Sequence, residues 1–161
     1  MDKKTFRNEV HKNLTENILP YWIHKMVDPK GGFYGRRDAK DDLKTDSEKG
    51  AILNARILWS FSAAYRVLKD PEYLEMAKRA KDYIQDHFID KDFGGVFWSL
   101  NPDGTPLDTK KQFYAIGFTI YGLSEFSRAT GDQASKELSQ NFAELRESSY
   151  LCHHQNENLT A

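Results

Sequence analysis

Cysteine is almost absent: Cys152 is the single one in 161 residues. It cannot build an internal disulfide framework, and the chain reads as cytoplasmic. Net charge is nearly absent as well. Lys and Arg total 23 against 24 Asp and Glu, a formal charge of -1. Without a net positive field, no nucleic-acid partner is expected. No apolar run approaches the roughly 18 residues of a membrane helix, so no membrane partner is expected either. Met-Asp-Lys-Lys-Thr at the start leads into a charged amphipathic segment, which is not the apolar core of a signal peptide. Phosphate loops, nucleophile elbows and metalloprotease motifs are missing too. Two glycosylation sequons, at Asn13 and Asn158, are chance matches in a cytoplasmic chain. Ten Phe, eight Tyr and three Trp are too many for a disordered tail, and the length suits one globular domain.

The apolar residues fall at helical spacing. Phe6, Val10, Leu14, Ile18 and Trp22 recur every fourth position, which predicts an amphipathic helix over about 5–25. Pro20 is expected to kink or end it. About 48–68 is apolar nearly all round, so a helix buried on most faces is expected there. About 71–88 is amphipathic again through Tyr73, Ala77, Ala80, Ile84 and Phe88, with Asp70 as N-cap and Pro71 at its first position. About 112–130 is the second mostly buried helix, closed by Gly131. About 132–146 returns to a stripe of Ala134, Leu138, Phe142 and Leu145. Amphipathic and buried helices alternating in this way predict two concentric layers.

The linkers repeat. Gly31-Gly32 with its aromatics recurs as Gly94-Gly95, 63 positions on, and Arg66 and Asp70 recur as Arg128 and Asp132, 62 positions on. The fold class expected is all-α, a helical toroid of about two and a half helix-pair repeats with Gly-Gly-aromatic links. The second link should form a hairpin from Val96 to Leu100, turning at Asn101-Pro-Asp-Gly104. Such a stack leaves an apolar flank unless it is capped. The chain is therefore expected to be part of a longer toroid, or to self-associate through that flank.

Four residues stand out as site candidates. Arg56 is the one charged residue between Ala51 and Tyr65, on a helix expected to be buried. It needs a partner, such as Glu125, or a wet cavity. Tyr114 opens the second inner helix, where a phenol can bond a sugar hydroxyl or simply pack. Trp59, with Trp98, Phe97, Tyr34 and Phe33, can stack on sugar faces, although Trp59 also suits core filling. Asn54 is either a polar pocket contact or a satisfied core amide. His11, His24 and His87 read as surface residues. Cys152, His153 and His154 are too adjacent to converge on a metal, so no metal site is expected. A glycoside-cleaving enzyme would need a facing carboxylate pair, and the acids fall mostly on outer helices and loops.

Several runs together carry a resemblance. They are Gly31-Gly-Phe-Tyr-Gly35, Lys49-Gly-Ala-Ile-Leu-Asn-Ala-Arg-Ile-Leu-Trp59, Phe93-Gly-Gly-Val-Phe-Trp98, Gln112-Phe-Tyr114 and Phe118-Thr-Ile-Tyr-Gly-Leu-Ser-Glu125. Over about residues 5–136 the chain resembles the N-terminal part of the N-acylglucosamine 2-epimerase superfamily, in particular its cellobiose 2-epimerases. The resemblance implies a partial (α/α)6 barrel and reversible inversion at C2 of a reducing-end sugar, with no cofactor. In that family one histidine removes the C2 proton, a cis-enediolate forms, and a second histidine returns a proton to the other face. It also implies that Arg56 is the active-site arginine and Tyr114 a substrate contact, with a small saccharide as partner. None of the five histidines here matches the family's catalytic pair. Residues 1–136 are expected to be the barrel portion, and 137–161 an outer helix with a divergent polar tail. The whole is expected to be a truncated, inactive chain. The alternative is a non-catalytic carbohydrate-binding or self-associating helical module.

Overall fold

A computed structural model describes residues 2–144. Helix α1, Lys3–Asn13, is capped by Asp2, whose carboxylate accepts from the Lys4 and Thr5 amides. A π-helical turn, Leu14–Ile18, joins it to α2, Leu19–Lys25. Pro20 does not end the helix, which runs on to Lys25, but the regular α-helical pattern is interrupted just before it. The Leu19 amide reaches back to the Leu14 carbonyl, and this widened turn makes room for a ring that would otherwise clash with the preceding turn.

The inner helices are α3, Ala51–Leu68, and α5, Phe113–Thr130. Both have 18 residues, and both end in a left-handed cap, Lys69 at φ 61° and Gly131 at φ 80°. The caps lie 62 positions apart, so the repeat extends to the backbone. Between them runs α4, Pro71–Tyr83, prolonged by a π-helical turn, Ile84–Phe88. Asp70 caps it as expected, accepting from the Glu72 amide, and Pro71 follows. Residues 133–144 are helical and are named α6. α3 packs along both α5 and α4. Gly122 sets the α3–α5 spacing: a Cβ there would stand 2.8 Å from the Ala55 carbonyl oxygen. The core between the layers centres on Phe33, Leu58, Phe61, Ala77, Ala80, Ile84, Phe88 and Leu123.

The two Gly-Gly links fold alike. Val27 bridges Phe33 in the first, and Ile89 bridges Val96 in the second. The Asp28 amide bonds the Gly32 carbonyl, and the Asp90 amide bonds the Gly95 carbonyl. Even the ion pairs recur. Lys49 Nζ sits 2.6 Å from Asp28 Oδ2, and Lys111 Nζ 2.5 Å from Asp90 Oδ2. Each pair ties a link to the residue two before an inner helix. The hairpin forms where expected: β2, Ser99–Leu100, pairs antiparallel with β3, Pro106–Asp108. A strand that sequence patterning did not suggest, β1, Lys49–Gly50, completes the sheet in the order β1-β2-β3.

The first stripe is half covered: Leu14 and Trp22 pack against the core, while Phe6, Val10 and Ile18 are 56%, 51% and 46% exposed. Two expectations are corrected. On α6 the buried face is Ser135, Ser139 and Phe142, while Ala134 faces water. His87 is not a free surface residue. It lies against the Tyr83 ring at 4.4 Å between centroids, and its Nδ1 donates to the Gly104 carbonyl at 3.2 Å. The expectations for Leu145, Arg146, Cys152, His153, His154 and the tail to Ala161 lie outside the described residues.

Candidate active site

The inner helices are apolar nearly all round, yet each leaves one face open. On α3, Arg56, Trp59 and Ser60 share that face at helical spacing. On α5 it carries Phe113, Tyr114, Gly117, Phe118 and Tyr121. Together they line a cavity of about 900 Å³. The repeat explains the match, since Trp59 and Tyr121 lie 62 positions apart, as do Arg56 and Phe118.

Arg56 is exposed rather than buried. Of the two arrangements that would let a charge sit on this helix, the structure has the open one. Glu125, a candidate partner, is taken: its Oε1 accepts from Arg66 Nε at 2.6 Å, and Arg128 approaches its Oε2 at 3.6 Å. Among the described residues Arg56 has no ion-pair partner. Among the described residues it is the one charged group in the cavity lining, with no carboxylate and no imidazole beside it. Such a lining can stabilise a negative charge on oxygen, but it has no group suited to taking and returning a proton near neutral pH.

Tyr114 stands at the start of α5, 62% exposed, with its ring edge-on to Phe118 at 4.9 Å. Trp59 stacks on Tyr121 at 4.9 Å with 9° between planes. Asn54 is placed elsewhere. It is fully buried, its Nδ2 donates to the Gly50 carbonyl at 2.9 Å, and it does not line the cavity. Its Oδ1 is buried without a protein partner. Its burial suits a core amide, but one that is only half satisfied. Phe33 is buried against Phe61, and Phe97 lies under Lys111 at 4.1 Å; neither reaches the cavity. Ser60, Phe113, Phe118 and Tyr121 carried no distinguishing mark in the sequence. Adding the 62-residue offset to Arg56 and Trp59 would have found the last two.

A second concavity, a groove of about 1000 Å³, lies between α1–α2 and α3. Val10, Leu14, Ile18 and Trp22 line one side, Leu53, Ile57 and Val67 the other, and Arg56 borders both spaces. No described helix is long and apolar enough to cross a membrane.

Two layers of helices around an aromatic cavity with one cation define a piece of a helical barrel. A family model described as N-acylglucosamine 2-epimerase (GlcNAc 2-epimerase) matches residues 32–160, and the chain belongs to that family. It is 65% identical over 127 residues to a cellobiose 2-epimerase of Bacteroides fragilis, covering 78% of this chain and 32% of that one. A cellobiose 2-epimerase of Ruminococcus albus is 41% identical over 131 residues, covering 81% of this chain and 34% of the relative. The solved cellobiose 2-epimerase of Bacillus thermoamylovorans B4167 superposes with a TM-score of 0.86 at 37% identity, over 88% of this chain and 37% of that chain. The fold is thus part of an (α/α)6 barrel. The chain spans about a third of the length of the curated relatives it matches.

Proposed function

We propose that the α3–α5 cavity is one wall of a saccharide site, built to invert C2 at the reducing end of cellobiose or a related sugar. The observation that carries this reading is Arg56: an exposed cation without a partner among the described residues, on an aromatic wall beside the Tyr114 hydroxyl. Its role is to face the sugar oxygens on which charge develops as the C2 proton leaves and a cis-enediolate forms. Tyr114 donates to or accepts from a sugar hydroxyl. Trp59 offers an apolar ring to the sugar's C–H face. Asn54 supports the first turn of α3 and does not touch the sugar. Residues 1–136 are the barrel portion in this reading, with the boundary falling inside α6. A cytoplasmic location is part of the same proposal, supported by the single cysteine of the sequence.

Among the described residues the cavity lining holds no proton-transfer pair. The 161-residue chain is therefore expected to bind saccharide without inverting it, as the non-catalytic alternative also has it. The test is to incubate the purified chain with cellobiose, separate the products by chromatography, and titrate binding in parallel. No glucosylmannose above the blank is expected, together with saturable binding that Arg56→Ala weakens at least tenfold. Measurable turnover would sink the claim about the lone chain. Binding indifferent to Arg56→Ala would sink the site.

A further inference from the structure

We infer that Tyr121 is a positioning residue of this cavity: it fixes the plane of Trp59 and so the wall beside which Arg56 stands. The inference rests on the saccharide reading above. Trp59 and Tyr121 occupy the same place in the two repeats, 62 positions apart. They form the one parallel contact of an aromatic chain that crosses from α3 to α5. The indole stacks on Tyr121 at 4.9 Å and 9°, Phe118 stands edge-on to Tyr121 at 6.3 Å and 89°, and Tyr114 closes the chain on Phe118 at 4.9 Å and 78°. The four rings thus connect the two helices that carry Arg56 and the Tyr114 hydroxyl.

Backbone geometry locks the stack. Gly122 follows Tyr121, and Ala55 precedes Arg56. A Cβ at Gly122 would meet the Ala55 carbonyl at 2.8 Å, so the two backbones are pressed together beside the rings. Trp59 lies three residues beyond Arg56 on the same face of α3, where neighbouring side chains limit each other's rotamers. Tyr121 covers one face of the indole while staying 45% exposed itself. A purely core-filling tyrosine would be buried, and this one is held half in the cavity. Without it, Trp59 has free space on its α5 side and the wall loses its fixed plane.

The test uses the chain labelled with 5-fluorotryptophan, which gives three ¹⁹F resonances for Trp22, Trp59 and Trp98. Trp59→Phe assigns the one of interest. In Tyr121→Leu the Trp59 resonance should move away from its ring-shifted position, while the other two stay. Cellobiose followed through that resonance should bind about 2- to 10-fold more weakly, the worth of one aromatic pair. Tyr121→Phe keeps the ring and should restore both readings. Should Tyr121→Leu fail to fold, Tyr121→Met fills similar volume and is read in the same way. An unmoved Trp59 resonance overturns the positioning claim. A wild-type Trp59 resonance indifferent to cellobiose overturns the saccharide reading instead, leaving the stack itself to be judged by the shift.

Discussion

The two repeat-equivalent ion pairs make a controlled comparison, because geometry is nearly the same and burial is not. Lys49 and Asp28 have side chains 1% and 4% exposed, at 2.6 Å. Lys111 and Asp90 are 30% and 11% exposed, at 2.5 Å. Replacing Lys49 by Met strands the Asp28 carboxylate in the interior. Oδ1 keeps the Lys30 amide at 2.9 Å, but Oδ2 loses its partner. The Gly31 carbonyl also loses its 2.9 Å bond from Nζ, and the Tyr83 ring loses the cation 4.8 Å above it. Breaking a buried pair from one side costs about 3–5 kcal/mol, against a total stability of about 5–15 kcal/mol for a domain. Lys111→Met leaves Asp90 two amides, from Asp92 and Phe93, at a more exposed position, and should cost clearly less than Lys49→Met. The double variant Asp28→Asn/Lys49→Met removes the stranded charge and should recover most of the loss. Urea unfolding followed by circular dichroism measures all three. Equal midpoint shifts for the two single variants, or a loss under about 1 kcal/mol for Lys49→Met, would refute the burial argument.

Other expectations follow from single contacts. Gly122→Ala pushes a methyl against the Ala55 carbonyl and, at 3.2 Å, Leu58 Cδ2; it should destabilise by about 1–3 kcal/mol in the same assay. Gly104→Ala combines φ 90° with a Cβ 2.7 Å from His87 Nδ1 and should lower the thermal midpoint more than Gly117→Ala, where nothing lies within 4 Å. Burial, with Asp28 and Asp103 nearby, pushes the Tyr83 hydroxyl up to about 12. The folded state thus favours the protonated phenol. That contribution is complete below about pH 10, the ordinary tyrosine value, and is lost as pH rises from there to about 12. Tyr83→Phe should flatten the alkaline limb of a stability–pH profile, and an unchanged limb would contradict the assignment.

Much of the architecture was readable because it repeats. Periodicity placed α3, α4 and α5 within a few residues, and the offset between Gly31-Gly32 and Gly94-Gly95 announced two equivalent links. Capping residues act locally, which is why Asp70 and Gly131 were legible. Pro20 disturbs the helix without ending it, because a proline's cost depends on the turn before it, and a π-helical turn lowers that cost. The α1 stripe and the α6 face could not be oriented from spacing alone, since periodicity gives a face but not its neighbour. His87 looked like a surface residue because its contacts, Tyr83 and Gly104, come from a helical neighbour and a hairpin tip 17 residues away. The site was legible in its polar members and less so in its walls. A lone arginine on an apolar helix advertises itself, whereas Phe118 and Tyr121 sit in a run where any aromatic could be core. Asn54 shows where polarity alone does not decide. Its polarity suggested a contact, but its amide serves the Gly50 carbonyl one turn back.

The central claim is that saccharide binds at the α3–α5 cavity beside Arg56 and Tyr114. The most direct test is a cellobiose titration of the ¹⁵N-labelled chain by heteronuclear NMR. The account predicts saturable shifts confined to Arg56, Trp59, Tyr114 and Tyr121 and their neighbours, and their loss in Arg56→Ala. Shifts confined to Val10, Leu14 and Val67 in the groove, or no shifts at all, would contradict it.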